Sequence, residues 1–138
     1  MAIFPEKDWF FKLKDKLNSD DHYARIAHSW EWDLLFAIES DEDLKEPLQV
    51  YLDLWHGTCR EVKIVEDANQ TKATFVLFAP YKHYVALLSG KLDPMQAMLT
   101  RKLRVQGNMA IMMRNVPTVL DFVRCCREVT DGFVGAAT

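Results

Sequence analysis

The chain has 138 residues, 49% of them apolar and 27% charged, with a formal net charge of −3. That is the balance of one globular domain, here 1–138, able to bury a core, and its acid excess excludes a general electrostatic affinity for nucleic acid. No apolar run approaches the roughly 18 residues needed to span a bilayer. Three cysteines, two of them adjacent (Cys125 and Cys126), do not suit a disulfide framework, and "MAIFPEKDWFFKLKDK" carries charges from Glu6 onward where a secretory signal would be apolar. The expected location is the cytoplasm.

Two helices are expected in residues 1–30. Pro5 suits a first helical turn, Glu6 and Asp8 suit its positive dipole end, and Phe10, Leu13 and Leu17 follow helical spacing. The run "NSDD" interrupts that pattern and can cap a second helix, along which Tyr23, Ile26, Ala27 and Trp30 fall at i, i+3, i+4 and i+7. The period then drops to two. Trp32, Leu34, Phe36 and Ile38 share one face of a first strand; after a turn at "LKEP", Leu48, Val50, Leu52 and Leu54 share one face of a second. His56-Gly57-Thr58 allows a bend into a third strand, "CREVKIVE", and "DANQ" reads as a hairpin loop leading to a fourth, "KATFVLFA". That fourth strand is apolar in both rows, Ala73, Phe75, Leu77 and Ala79 against Val76 and Phe78, which places it centrally.

Pro80 ends the strand and opens a helix carrying Tyr84, Leu87 and Leu88, with Gly90 at its stop position. Asp93-Pro94-Met95-Gln96 supplies a cap, a proline and a glutamine able to reach back, and so starts a short helix with Met95, Met98 and Leu99 on one side. "KLRVQG" is a short fifth strand. Asn108 caps a helix whose Met109, Met112, Met113 and Val116 keep helical spacing; Pro117 kinks or restarts it, and Val119, Leu120 and Val123 continue the apolar face. Residues 131–138 read as a flexible tail. Consecutive strands with helices grouped before and after them predict an α+β fold with an antiparallel sheet, not alternating βαβ units.

Motifs of catalysis are missing: the chain has no Gly-rich phosphate loop, no G-x-S-x-G and no HExxH. His56 and Cys59 stand three apart, but one such pair cannot complete a tetrahedral metal site. His22 and His28, six apart, fall on different helix faces, and His83 has no carboxylate close in sequence. Glu31, Asp33 and Glu39 alternate with the apolar row of the first strand, as a solvated face would. No catalytic residue, metal or cofactor is expected.

What stands out is "SGKLDPMQAMLTRKLRVQGNMAIMMR". It holds five of the six methionines, Met95, Met98, Met109, Met112 and Met113, together with Lys91, Arg101, Lys102, Arg104 and Arg114 against the single carboxylate of Asp93. Its local charge of +4 leaves −7 for the rest of the chain. A core of fixed shape prefers branched side chains, whereas unbranched, adaptable methionine suits a surface or cavity that accepts a guest. Periodicity alone leaves two readings open: a stripe that closes a core over the sheet, or a wall around an apolar ligand.

The same stretch carries a resemblance. Gly90-Lys91, Pro94, Ala97, Lys102-Leu103 and Gly107-Asn108-Met109, with Met113 four further on, resemble without gaps the pattern of the sterol carrier protein 2 family, also called the SCP-2 sterol-transfer family. The likeness is strongest over residues 74–114; before that only the order of elements agrees. A glycine is common in the family just before the Lys-Leu pair, where this chain has Arg101, and the ending "GAAT" is not a peroxisomal address. Both features look like those of a free-standing prokaryotic member. The resemblance implies a five-stranded, mainly antiparallel sheet covered by helices, with an apolar tunnel. It also implies a non-catalytic protein that binds fatty acids, fatty acyl-CoA, sterol-like or other lipids.

On that basis the ligand is expected between the sheet face of Phe36, Ile38, Phe75 and Leu77 and the helix faces of Leu88, Met95, Met98, Met109, Met112 and Met113. Lys91, Arg101, Lys102, Arg104 and Arg114 are expected to meet an anionic acyl-CoA head group or membrane surface. Two other classes stay open. One is an accessory or scaffold module that presents a hydrophobic intermediate to partner enzymes, or an oligomerisation module. The other is a small hydrolase or isomerase, which needs a polar pair inside the cavity, such as His83 or His56 beside a carboxylate.

Overall fold

The computed structural model describes residues 2–66 and 72–135. After β1 (Ile3–Phe4), α1 (Lys7–Ser19) buries Trp9, Phe10, Leu13 and Leu17, a single apolar stripe at helical spacing. The Asp20 carboxylate accepts from the Tyr23 amide and starts α2 (Asp21–Ile26). Tyr23, Ala27 and Trp30 all turn inward, although the helix ends before the last two. There follow β2 (Leu34–Glu39), β3 (Leu48–Trp55), β4 (Thr58–Ile64), β5 (Phe75–Pro80), α3 (Tyr81–Leu88), α4 (Pro94–Leu99), β6 (Arg104–Gln106), α5 (Met109–Arg114), α6 (Val116–Val129) and β7 (Gly132–Phe133).

Five strands form one sheet in the order β4-β3-β2-β5-β6. β3 pairs antiparallel with β2 and β4, β6 pairs antiparallel with β5, and β2 and β5 run parallel. This is the α+β, mainly antiparallel fold expected. The β3–β4 hairpin turns at His56 and Gly57, both with positive φ (50° and 83°), the backbone of a mirror-image two-residue turn. The turn is tucked under α2: a Cβ on Gly57 would stand 2.7 Å from the Ala24 carbonyl oxygen.

Two local expectations need correction. The "DANQ" loop, 67–70, lies outside the described residues, but the strands on either side of it do not form a hairpin. β4 is an edge strand paired with β3, and β5 lies beyond β2. A strand must cross over to reach a parallel neighbour, and the two apolar faces of β5 suit an interior place beside β2, whose Leu34, Leu35, Phe36, Ala37 and Ile38 are all buried. The second correction concerns the tail. Gly132 and Phe133 pair with Ile3 and Phe4 as parallel strands, and the Val134 amide donates to the Phe4 carbonyl at 3.0 Å. Tyr81 hydroxyl donates to the Val134 carbonyl at 2.7 Å. Buried Phe4 needs partners for its backbone, and the tail supplies one. Residues 136–138 lie outside the described residues.

The core lies between one sheet face and the helices. Phe4 is its aromatic centre, with ring centroids 4.8 Å from Trp9, 6.1 Å from Phe10, 6.1 Å from Tyr81 and 5.9 Å from Tyr84. Cys59, Cys125 and Cys126 are free thiols, all buried.

Candidate ligand pocket

Local sequence signals shape the wall of the site. Asp93 accepts from the Gln96 amide and Pro94 opens α4. Asn108 accepts from the amides of Ala110 and Ile111 and starts α5; α6 begins after Asn115 with Pro117 in its first turn, and the Asn115 side chain donates back to the Ile111 carbonyl at 2.7 Å. Gly107, at φ 143°, lets the chain pass from β6 to α5 over Phe75: a Cβ there would fall 2.4 Å from Phe75 Cδ1. Short helices α4 and α5, set by these caps, stand with α3 and α6 over the sheet without filling the space between.

That space is a cavity of about 80 Å³, room for several waters at roughly 10–15 Å³ each. Phe36 and Leu77 line it from the sheet, Leu87 and Leu88 from α3, Met98 from α4, Met112 from α5, and Val119, Phe122 and Val123 from α6. Phe4 and Trp9 also reach it. Four polar groups on lining residues are taken up elsewhere. Tyr84 hydroxyl donates to the Leu77 carbonyl (2.7 Å), Trp30 Nε1 to Trp32 (2.6 Å), Trp9 Nε1 to Thr130 (2.9 Å) and Thr118 Oγ1 to Ile26 (3.0 Å). Burial pushes the Tyr23 and Tyr84 hydroxyls and the Cys126 thiol up, so they stay protonated at neutral pH. The wall therefore offers a guest apolar contact and no general base among these groups.

Of the ten residues expected around a ligand, Phe36, Leu77, Leu88, Met98 and Met112 line this cavity. Ile38 and Phe75 are fully buried in the core away from its wall, and Met95 is half-buried on α4. Met109 and Met113 are exposed, at 40% and 50%. A six-residue helix lying on the surface has one inward row, and in α5 Met112 occupies it. Lining by α6 was the part not assigned from sequence, although Val119, Phe122 and Val123 keep the i, i+3, i+4 spacing that could have placed it.

The five cations of the methionine-rich stretch differ in their partners. Arg104 pairs with Glu39 at 2.6 Å and lies over the Phe78 ring at 5.8 Å. Lys91, Arg101, Lys102 and Arg114 are exposed and make no ion pair among the described residues. Arg101 and Arg104 line a second, shallower pocket of about 120 Å³ with Met98, Leu103, Val105 and Met109. His83 Nδ1 lies 2.9 Å from the Lys102 carbonyl, and His56 Nε2 lies 3.5 Å from Glu31 at the surface; neither reaches the cavity. Asp20, Asp121 and Cys125 cluster as metal ligands might, but Arg124 already bonds both carboxylates, at 2.7 and 2.8 Å. Burial also pushes the Cys125 thiol up to about 11, so the cluster is an ionic tie between α2 and α6.

The sequence profile of the SCP-2 sterol transfer family matches residues 12–119. The chain belongs to that family. It is similar to a crystal structure of sterol carrier protein 2, with a TM-score of 0.82 and 30% identity over 91% of this chain and 98% of that one. A conserved hypothetical protein of Thermus thermophilus, proposed as a sterol carrier, gives a TM-score of 0.83 and 30% identity over 96% of this chain and 93% of its own. A ubiquinone synthesis protein, UbiJ, shares the fold at 15% identity, with a TM-score of 0.51 over 85% of this chain and 84% of that one. No curated protein matches. Family and fold support a lipid-binding or carrier role. No helix among the described residues is long and apolar enough to cross a membrane.

In this SCP-2 family member, the motif residues Pro94, Gly107 and Asn108 build the frame of the cavity and stand at helix starts and a close approach. Arg101, the departure from the family pattern, sits at φ 60°. A glycine adopts that left-handed backbone without cost, and an arginine does not.

Proposed function

We propose that the protein is a non-catalytic carrier that shelters one hydrophobic ligand, such as a fatty acid, a fatty acyl-CoA or a sterol-like lipid, in the cavity between α3, α4, α5, α6 and the sheet. The observation that carries this reading is the apolar cavity itself, which no charged side chain lines and where Tyr84, Trp9, Trp30 and Thr118 spend their polar groups on the protein. Each buried methylene contributes about 0.8 kcal/mol, so about twelve of them give roughly 10 kcal/mol gross. Binding entropy and chain ordering offset much of that, leaving affinity near micromolar or somewhat better. Met98 and Met112 can move to admit a chain longer than the empty cavity holds. Lys91, Lys102 and Arg114 attract an anionic surface or head group to the mouth, and buried free thiols fit action in the cytoplasm.

The test separates two neighbouring methionines. Met112 is 3% exposed on the cavity wall and Met113 is 50% exposed outside it. Met112→Glu is expected to lower affinity for a fluorescent fatty acid at least tenfold, roughly what one charge in an apolar wall costs, while Met113→Glu leaves it unchanged. Equal, undiminished binding by both folded variants sinks the carrier reading. Native mass spectrometry of freshly purified protein, followed by lipid extraction, identifies the ligand.

A second reading has its own observation. Leu99, Met109, Met113 and Leu120 are large apolar side chains left exposed, Leu99 by 74%. Exposed apolar side chains suit a module that presents a hydrophobic intermediate to an enzyme, and the UbiJ neighbour is named as a ubiquinone synthesis protein. An enzyme that co-purifies with the protein, and is lost from Leu99→Ser while lipid uptake persists, favours this reading.

A further inference from the structure

The main cavity has a place for an acyl chain and none for a charged end. No charged side chain lines it, and burying an unpaired anionic head group there is unfavourable. An anionic head must therefore lie outside it. Met98 and Leu103 line both the main cavity and the shallow pocket beside it, so the two spaces adjoin at these side chains. The shallow pocket adds Arg101 and Arg104 to an apolar rim of Val105 and Met109. Arg104 is held in place by one hydrogen bond to Glu39 and by the Phe78 ring, which leaves most of its guanidinium donors unused. Arg101 holds its side chain there from a left-handed backbone, φ 60°, that any residue but glycine adopts at a cost. Among the described residues, Glu39 is the one carboxylate paired with this cluster.

We propose that this arginine-bearing pocket is the head-group subsite of the carrier and that its ligand is an anionic single-chain amphiphile, with a carboxylate or phosphate bound by Arg101 and Arg104 and its chain running past Met98 and Leu103 into the main cavity. The proposal rests on the carrier reading. It narrows the ligand from lipids in general to those with a compact anionic head.

Calorimetric titration with dodecanoate, dodecyl phosphate and dodecanol tests it, the three sharing one chain and differing in the head. Wild type is expected to bind one or both anions roughly tenfold more tightly than the alcohol, the value of a charge-assisted contact; which anion leads distinguishes a carboxylate from a phosphate ligand. Arg101→Ala keeps the backbone strain and removes the guanidinium, and Arg101→Gly relieves the strain as well. Both are expected to erase the preference while binding the alcohol as before, and Arg101→Gly alone is expected to melt at a higher temperature. Lys12→Ala, which removes an exposed cation on α1 that lines neither pocket, is expected to keep the preference. Equal wild-type affinity for all three overturns the subsite and leaves the carrier reading standing. A preference lost equally in Lys12→Ala overturns it too, because general surface charge is then enough. Binding of none of the three overturns the carrier reading and the subsite with it.

Discussion

Around Phe4, five aromatic rings approach within 6.5 Å and both ends of the chain meet as paired strands. Around Met112, side chains of four helices and the sheet line a cavity, with Met98 and Met112 its two methionines. The two regions share a wall, since Phe4 and Trp9 also line the hollow. Residues bordering a void lose packing partners on one side, so the hollow region cannot hold its own shape by packing. The aromatic region does so for it. Rings with few rotamers fix the shared wall, and methionines with many leave the rest adaptable.

The sharpest way to break this comparison is to damage the solid side. Trp9→Ala removes a fully buried ring and the Nε1 hydrogen bond to Thr130, with an expected loss of about 3–5 kcal/mol in denaturant unfolding. A loss below about 1.5 kcal/mol, the range of well-tolerated core changes, means this side is not the frame. Truncation after Thr130 comes next. It removes β7, the Val134 amide bond to Phe4, the two bonds between Asp131 and Ala2 and the nearer of two acceptors of the Tyr81 hydroxyl, for about 2–4 kcal/mol at roughly 1 kcal/mol per bond. Unchanged stability and lipid uptake return residues 131–135 to a passive tail.

On the hollow side the same kind of change weighs less. Met112→Ala is expected to cost about 1–2 kcal/mol, at or below the low end for a buried methionine, because one flank of Met112 already faces empty space. Thermal melts with and without saturating fatty acid check it: ligand raises the wild-type midpoint, and by less in the variant.

The two regions also differ in how far sequence revealed them. Helix starts at Asp20, Asp93 and Asn108 were legible because a cap is a local hydrogen bond between neighbours in sequence. Spacing in α5 put Met109, Met112 and Met113 on one face, yet it could not tell which of them looks inward, since that depends on how a six-residue helix is tilted against α6. Partnership of β4 with β3 alone, and of β5 with β2, is a matter of sheet order, which a hairpin signal at "DANQ" does not encode. The docking of Phe133 beside Phe4 joins residues 129 apart in sequence. Nothing local marks it except that Phe133 and Val134 are apolar. Arg101 was visible as a departure from a family pattern, and its left-handed backbone supplies the physical reason a glycine suits that place.

The smallest effect expected tests the joint between the regions. α6 carries much of the cavity wall and is tied to the helices of the solid side by Arg124 with Asp20 (2.7 Å) and Lys16 with Glu128 (2.8 Å). The Arg124 guanidinium, and then the Tyr23 amide, hold the Asp20 carboxyl below its ordinary range, and Lys16 does the same for Glu128. Carboxyls depressed in the folded state add stability that is whole above their unfolded values, near 4, and is lost as pH falls through the folded ones. Asp20→Asn keeps an acceptor for the Tyr23 amide and removes only the charge, so it is expected to cost about 1 kcal/mol at neutral pH. That gap should persist to about pH 5 and close progressively below about pH 4. Melting curves of both proteins across that range read it directly. A gap that stays constant in acid means the side chain acts through its cap alone, and α6 is then joined to the solid side by packing without help from charge.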